Sequence, residues 1–408
     1  MPRSRVRRQD GPGQEEAARR RRAGRRTLGR VECGYYERDL CHSCTVIEVP
    51  YDQQLARKQQ LVRDLVDPLG APRWLTPVAS AESGFRNKAK MVVAGTVGAP
   101  TLGILDRGAG VDLRDCPLYP EPVTLAIHGL AEFVTRVRLL PYDVAKRRGE
   151  LKHVIVTGDP RGRLMVRFVL RSERQLPKIR ENTDLLRELV PAADVVSVNL
   201  QPEHKAVLEG PREILLTEQE ELVVEVNGIG LRVRPRSFFQ TNTAVTERLY
   251  AQVRDWVDAA DPATVWDLYC GVGGFALHAA GPTRTVVGTE ISPEAVASAQ
   301  DTARAMGLPE RGPGSVRFVA DDAAAVPAEL SGTPDLVVVN PPRRGLDAPL
   351  CAWLEESSVR HVVYSSCNAK TLARDLALMP SLAPVEARLF DMFPHTGHYE
   401  AAVLLRRA

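Results

Sequence analysis

The chain has 408 residues, of which 44% are hydrophobic and 26% are charged, a composition typical of a globular protein with two or three domains. It contains no run of about 18 apolar residues, and its N-terminus lacks an apolar core segment, which excludes a transmembrane helix and a secretory signal. We therefore expect a cytoplasmic protein without a membrane partner, whose seven cysteines are ligands, catalysts or core residues rather than disulfides.

Residues 1–30 form a strongly basic segment. The net charge of the chain is +3, yet this segment alone holds eleven Arg against Asp10, Glu15 and Glu16, so the remainder is slightly acidic. Such a tail can be an arm that neutralises nucleic-acid phosphates or a disordered extension without a specific role. The lack of any apolar period favours the disordered extension.

The segment 31–122 contains four cysteines and a predicted helix. The cysteines are Cys33, Cys41, Cys44 and Cys116. Their spacing is compatible with a zinc site or with an iron–sulfur cluster. Between them, leucines at 61, 65 and 69 recur at four-residue spacing and predict a helix from Ala56 to Leu69.

Two clusters of basic residues are candidate contacts for nucleic-acid phosphates. Arg86, Lys88 and Lys90 would lie on one face of an extended segment, and residues 146–148 with Lys152 form a second cluster. Phosphate binding and ordinary solvent-exposed charge explain these patterns about equally well.

Strand patterns dominate the segment 123–236. The runs His153–Thr157 and Leu164–Leu170 flank Gly158–Gly162, which has the composition of a hairpin turn. We expect an antiparallel sheet with a few helices, and therefore a central α+β domain.

From residue 237 to residue 408, short apolar strands alternate with Ala-rich helical stretches. The predicted strands are Thr264–Leu268, Thr285–Thr289, Leu336–Val339 and His361–Tyr364. This alternation is typical of a doubly wound parallel sheet, so we predict an α/β, Rossmann-like domain.

A Gly-rich turn follows the first of these strands, in the run Asp267–Phe275. Glu290 comes about 20 residues after Gly271, where a carboxylate can bind a ribose diol. The same turn also fits the dinucleotide pattern of dehydrogenases. The Asn340-Pro341-Pro342 loop downstream favours S-adenosylmethionine, because its fixed backbone can present a sulfonium methyl group to a planar base.

A thiol and a carboxylate follow this loop. Cys367 comes directly after a predicted strand among polar neighbours, and Glu400 precedes the final apolar run Ala401–Leu405. Methylation of carbon 5 of a uracil needs such a pair, because a thiolate must add to carbon 6 and a base must later remove the carbon 5 proton. Phe238 and Phe239 are candidates for stacking on an extruded base or for core positions.

Three other reactions use parts of this pattern. Exocyclic-amine methylases carry an aromatic residue after Asn-Pro-Pro, where this chain has Arg343. DNA cytosine methylases have their cysteine within the proline loop, which contains none here. A dehydrogenase would leave Cys367 and Glu400 unexplained.

The chain closely resembles the uracil-C5 RNA methyltransferases over nearly all of residues 31–408. The motifs that carry the resemblance are Cys41–Cys44, Gly84–Met91, Asp115–Tyr119, Ser237–Asn242, Asp267–Phe275, Asn340–Gly345, Ser365–Asn368 and Asp391–Thr396. The resemblance implies a C-terminal Rossmann-like methyltransferase domain (237–408), an α+β central domain (123–236) and an N-terminal iron–sulfur segment (31–122). Asn340, where the tRNA-modifying relatives usually have Asp, supports the ribosomal branch, with 23S ribosomal RNA and its uridine 747 as partner.

The resemblance also implies the residues of the site. It assigns S-adenosylmethionine contacts to Gln240, Tyr269, Glu290 and Asn340, the nucleophile to Cys367, the general base to Glu400, and a [4Fe–4S] cluster to Cys33, Cys41, Cys44 and Cys116. We expect a monomer. Relatives begin about two residues before the first cysteine, so we expect residues 1–30 to lie upstream of a natural start at Val31. A tRNA uridine-54 methyltransferase and a non-catalytic rRNA-binding factor remain as alternatives.

Overall fold

The computed structural model describes residues 31–204, 207–322 and 332–408. The predicted disordered extension, residues 1–30, lies outside the described residues. The described chain forms an eight-stranded sheet, a seven-stranded sheet and a two-stranded hairpin. No helix in these ranges is long and apolar enough to cross a bilayer.

The elements are numbered here in chain order. The strands are β1 (Arg73–Trp74), β2 (Lys88–Thr96), β3 (Ala99–Asp106), β4 (Ala109–Asp112), β5 (Leu151–Gly158), β6 (Leu164–Leu170), β7 (Ala193–Leu200), β8 (Arg212–Leu215), β9 (Leu222–Val226), β10 (Ile229–Val233), β11 (Thr264–Leu268), β12 (Thr285–Glu290), β13 (Val316–Ala320), β14 (Leu336–Val339), β15 (His361–Ser366), β16 (Leu382–Phe390) and β17 (Glu400–Arg407). The helices are α1 (Gly34–Glu37), α2 (Tyr51–Val66), α3 (Glu121–Val137), α4 (Leu176–Glu181), α5 (Thr183–Leu189), α6 (Thr243–Ala260), α7 (Gly274–His278), α8 (Pro293–Ala305), α9 (Ala348–Glu356) and α10 (Ala369–Ala377), with 3₁₀ turns at Asp67–Leu69 and Glu173–Gln175.

The eight-stranded sheet has the order β1-β16-β17-β15-β14-β11-β12-β13. The strands β15, β14, β11, β12 and β13 run parallel, and β17 pairs with β15 in the antiparallel sense. The parallel alternation predicted from the sequence is therefore confirmed. After β11 the chain continues to β12 and β13 on one side of β11, and it then returns to β14 on the other side of β11. Ligands of such sheets bind where the strand order reverses, at the carboxyl ends of the strands.

Two apolar cores cover the two faces of this sheet. Side chains of α6, α7 and α8 pack on one face, and side chains of α2, α9 and α10 pack on the other. Strands buried on both faces are expected to be continuously apolar, and the residues of β14 are fully buried. The sheet is therefore a rigid support for the residues at its carboxyl edge.

Helix α2 confirms the predicted helix, which begins at Tyr51 rather than Ala56, and its buried face includes a charged side chain. Leu61 is 47% exposed, whereas Lys58 and Val62 are buried. The Nζ atom of Lys58 lies 2.7 Å from Asp391 Oδ1 and also donates to the carbonyl of Phe393 at 3.0 Å. Leu65 and Leu69 pack against the core, and the buried face also carries Lys58, which holds the loop that precedes the last strand.

The seven-stranded sheet has the order β4-β3-β2-β5-β6-β7-β8, and α3 packs on one face of it. The predicted hairpin of β5 and β6 is confirmed. The expectation of a wholly antiparallel sheet is wrong for β6 and β7, which run parallel because α4 and α5 carry the chain back between them. Strands from both sides of the predicted boundary at residue 122 join this sheet, and the division into domains stays a prediction.

Candidate active site

Cys367 lies in the turn between β15 and α10. Ser366 ends the strand, and its Oγ accepts a hydrogen bond from the backbone N–H of Asn368 at 3.1 Å. Asn368 caps α10 by accepting from the N–H of Lys370 at 3.2 Å, and its amide donates to the carbonyl of Arg343 at 3.0 Å. The thiol of Cys367 is therefore held at the carboxyl edge of the sheet, partly exposed and next to the proline loop.

Glu400 is the first residue of β17, which pairs with β15. The pairing ends with Ser366 opposite Ala401, and the adjoining residues Cys367 and Glu400 lie near enough for the Glu400 charge to affect the thiol. The carboxylate is 3% exposed and accepts a hydrogen bond from Ser365 Oγ at 2.6 Å. Burial raises the pKa of Glu400 to about 7, and the bond from Ser365 opposes that rise. A carboxylate with such a pKa exchanges protons readily near neutral pH.

The thiol of Cys367 experiences opposing charges. Burial raises its pKa, the neighbouring Glu400 carboxylate raises it further, and the Arg343 guanidinium lowers it. Two adjacent anions are disfavoured, so the thiolate forms most easily when Glu400 is protonated. In the sequence Arg343 served only to argue against exocyclic-amine methylases, and its position beside the thiol was not predicted.

The buried carboxylate of Asp375 joins three segments of the site. Its Oδ2 accepts hydrogen bonds from the backbone N–H of Leu346 and from the hydroxyl of Tyr364, both at 2.7 Å. Gly345 has a φ of 81°, and a Cβ there would lie 2.4 Å from the same oxygen. Asp375 therefore fixes the proline loop, β15 and α10 relative to one another. This role was not predicted, because an Arg-Asp pair in a helix usually faces solvent.

Replacing Asp375 with Ala should destabilise the protein and impair catalysis. The Tyr364 hydroxyl and the Leu346 N–H would lose their acceptor, and each unsatisfied buried group costs about 1–3 kcal/mol. We expect the free energy of unfolding to fall by about 3 kcal/mol in urea titrations. Asp184→Ala, at an exposed helical position, is the matched control and should not change it. Equal stability of the Asp375→Ala variant and the wild type would contradict this role.

The predicted cofactor residues Tyr269, Glu290 and Asn340 follow or end the neighbouring strands β11, β12 and β14. Glu290 ends β12 and accepts hydrogen bonds from the N–H groups of Gly271, at 3.2 Å, and Ser292, at 3.0 Å. Tyr269 has a left-handed backbone with a φ of 67°. A Cβ at Gly271 would meet no atom within 4 Å, so this turn borders open space.

Gln240 approaches from the segment before α6 and is 8% exposed. The amide of Asn87 donates to the carbonyl of Gln240 at 3.1 Å and to Thr243 Oγ1 at 2.8 Å. Asn87 directly precedes β2, so the start of the second sheet is tied to this part of the site. Phe239 is 4% exposed and belongs to the core, whereas Phe238 is 70% exposed and remains available for stacking.

The basic residues that are candidate phosphate contacts differ in their exposure to solvent. Lys90 is exposed and Lys88 is partly buried, and burial, followed by the charges of Lys90 and Arg167, lowers the pKa of Lys88 to about 8. The grouping of Lys152 with the second basic cluster is wrong. Lys152 is 6% exposed, and its Nζ donates a buried hydrogen bond to Gln201 Oε1 at 2.6 Å, so it is not a surface cation.

The four early cysteines are free and partly exposed. Burial and then the charges of Cys116, Cys33 and Cys41 raise the pKa of Cys44 to about 12, so the four thiols lie near enough to affect one another. Among the described residues, no group of three or more His, Cys, Asp or Glu side chains is placed to hold a single metal ion.

The cysteine-bearing segment contacts the loop that leads to Glu400. The N–H of Val46 donates to the carbonyl of His395 at 3.0 Å. The N–H of His395 donates to Gln54 Oε1 at 2.8 Å, and its ring contacts the carbonyl of Glu82 at 2.8 Å. The cysteine-bearing segment and α2 therefore hold in place the loop that precedes Glu400, the candidate base.

Known proteins resemble the chain over most of its length. The family described as tRNA (Uracil-5-)-methyltransferase matches residues 203–307 and 332–408. Two relatives carry the name 23S rRNA (uracil(747)-C(5))-methyltransferase RlmC. That of Edwardsiella ictaluri is 47% identical over 93% of this chain and 100% of its own. That of Halothiobacillus neapolitanus is 48% identical over 92% of this chain and 100% of its own.

A solved structure supports the fold. The tRNA (uracil-54, C5)-methyltransferase of Pyrococcus abyssi, in complex with S-adenosyl-L-homocysteine, covers 93% of this chain and 87% of its own. The TM-score is 0.75 at 24% sequence identity. The predicted α/β methyltransferase fold is therefore confirmed.

Proposed function

The chain belongs to the RNA uracil-C5 methyltransferase family, and on that premise we propose that it methylates carbon 5 of a uridine in 23S ribosomal RNA, of the position 747 type. The observation that carries the reaction is the end of the β15–β17 pairing at Ser366 and Ala401, which sets the adjoining residues Cys367 and Glu400 near each other, so that the Glu400 charge affects the thiol. The names of relatives that are nearly half identical over their whole length support the substrate. We also propose that the protein is cytoplasmic and acts on this RNA as a monomer.

The chain's residues have distinct roles in the proposed mechanism. S-adenosylmethionine supplies the methyl group, and Gln240, Tyr269, Glu290 and Asn340 would hold it at the carboxyl edge. The Cys367 thiolate adds to carbon 6 of the uracil, and the electron pair released makes carbon 5 nucleophilic. After carbon 5 has gained the methyl group, Glu400 removes its proton, the carbon 5–carbon 6 double bond re-forms and the sulfur leaves.

Methyl transfer to defined RNAs tests this proposal. A 23S fragment that carries the target uridine and a full-length tRNA are each incubated with methyl-labelled S-adenosylmethionine, and the labelled nucleoside is mapped. We expect 5-methyluridine at one position of the 23S fragment and none in the tRNA. Label in the tRNA alone would keep the chemistry and reject the substrate. No label in either would support a non-catalytic rRNA-binding factor.

We expect turnover to rise with pH through about 7. Glu400 must be ionised to accept the carbon 5 proton, and its pKa is about 7. Because folding raises this pKa above the ordinary value of 4.5, the stability from neutral Glu400 is full below about 4.5 and lost as the pH rises through about 7. Ser365→Ala removes the hydrogen bond that opposes the rise, so its turnover profile should shift to higher pH. Identical profiles for the variant and the wild type would contradict this assignment.

We propose that Cys33, Cys41, Cys44 and Cys116 hold a [4Fe–4S] cluster with a structural role. The support is a set of four thiols, near enough to affect one another, on a segment that contacts the loop before Glu400. Protein purified without oxygen should contain about four iron and four sulfide per chain. Cys116→Ser should lose iron and unfold at a lower temperature, whereas Cys351→Ala, a buried thiol elsewhere, should keep its iron. One zinc per chain instead of iron would contradict the cluster.

A further inference from the structure

Two loops at one end of the seven-stranded sheet form a basic surface that the proposed chemistry does not use. Residues 138–150 join α3 to β5, and residues 171–180 follow β6. The loops bind each other, because Arg171 Nη1 donates to the carbonyl of Arg147 at 2.9 Å. They therefore present one continuous surface.

Several arginines on this surface are exposed and have no ion-pair partner among the residues that the structure describes. They are Arg138, Arg147, Arg148, Arg174 and Arg180. The acids within the two loops are already engaged: Asp143 pairs with Lys146 at 3.0 Å, Glu150 with Arg171, and Glu173 with Arg212. The surface thus has an excess of positive charge that local carboxylates do not neutralise.

The backbone of the surface is fixed. Arg138 and Arg147 have left-handed backbones, with φ values of 57° and 52°. Gly149 has a φ of 97°, and a Cβ there would lie 2.0 Å from the carbonyl of Pro141, so only glycine fits. Lys178 Nζ also donates to the carbonyl of Arg138 at 3.0 Å. A fixed loop loses little conformational entropy when its arginines bind a ligand.

The surface lies at a defined distance from the candidate site. Strand β5 starts beside it at Leu151 and ends at Gly158, whose N–H donates to the carbonyl of Asn87 at 2.8 Å. Asn87 in turn binds Gln240. The length of β5 therefore separates the arginines from this edge of the site by roughly 25 Å, at about 3.3 Å per residue. This distance is too long for the target nucleotide and suits a flanking helical arm of the RNA.

We infer that this surface binds the phosphates of an RNA helix that flanks the target uridine. Arginine is well suited to phosphate recognition, and such contacts orient a nucleic acid without reading its sequence. We choose an RNA helix over an acidic peptide as the partner, because the proposed substrate is itself an RNA. The inference rests on the proposed function and adds to it the part of the RNA that positions the substrate.

The test compares two RNAs with the wild type and with the double variant R147Q/R148Q. One RNA is a short stem-loop with the target uridine, and the other extends its stem by roughly 25 Å. The variant should raise KM about tenfold for the long RNA with kcat unchanged, and lower the slope of log affinity against log salt by about 2. The short RNA should show no change. R311Q/R317Q, which removes two exposed arginines elsewhere, is the matched control.

Two results would overturn the inference. The first is a KM of R147Q/R148Q that equals the wild-type value on the long RNA, as expected if the surface binds an acidic protein instead. The second is an equal loss in R311Q/R317Q, which would indicate a general effect of charge. If the wild type methylates neither RNA, the proposed function fails. If it methylates both and the variant behaves like it, only this inference fails.

Discussion

Replacing Cys367 with Ala is expected to lower the rate of methyl transfer by at least about 10⁴-fold. Without a thiolate, carbon 6 of the uracil gains no nucleophile and carbon 5 stays unreactive towards a sulfonium methyl. The side chain is partly exposed in a turn, so its truncation should leave the fold intact. The measurement is labelled methyl transfer to the 23S fragment, together with the thermal unfolding temperature.

The matched control is Cys351→Ala, because Cys351 is a thiol of α9 that is 1% exposed in the core and has no role in the proposed chemistry. We expect this variant to lose some stability and to keep its turnover. If Cys367→Ala retained a substantial fraction of the wild-type rate, covalent catalysis by this thiol would be rejected.

Replacing Glu400 with Gln should stop the reaction after the methyl group has been transferred. Glutamine has nearly the same volume and can still accept the hydrogen bond from Ser365, but it cannot accept the carbon 5 proton. Turnover should fall by about 10²–10⁴-fold, while a covalent protein–RNA complex accumulates. Loss of the negative charge should also lower the pKa of Cys367, because the Glu400 carboxylate raises it. Adduct formation at neutral pH should therefore be no slower than in the wild type.

A denaturing gel measures this outcome with ordinary uridine in the 23S fragment. We expect a retarded protein–RNA band in Glu400→Gln that is weak in the wild type and absent from the double variant C367A/E400Q. Fast turnover without a trapped complex in Glu400→Gln would assign the proton transfer to another group.

The sequence predicted the parts of this fold that depend on local patterns. Strands β11 and β14 begin and end where their apolar runs predict, because strands buried on both faces need continuous apolar residues. The ends of the same strands carry the candidate cofactor residues. Predictions based on one element alone were therefore reliable.

Predictions that depend on contacts between distant elements were less successful. The leucine spacing predicted helix α2 but not the burial of Lys58, whose partner Asp391 is more than 300 residues away. Lys152 looked like a surface cation, yet it binds Gln201 inside the sheet. Asp375 gave no signal, since its hydrogen bonds reach Leu346 and Tyr364 from a helix with an ordinary polar pattern.

The most direct test of covalent catalysis uses a 23S fragment with 5-fluorouridine at the target position. Fluorine cannot leave as a proton, so the reaction should stop with the methylated nucleotide still bound to sulfur. Mass spectrometry of the digested complex should find this nucleotide on the peptide that contains Cys367. A fragment that is methylated without any covalent complex, or a nucleotide attached to another residue, would contradict the account.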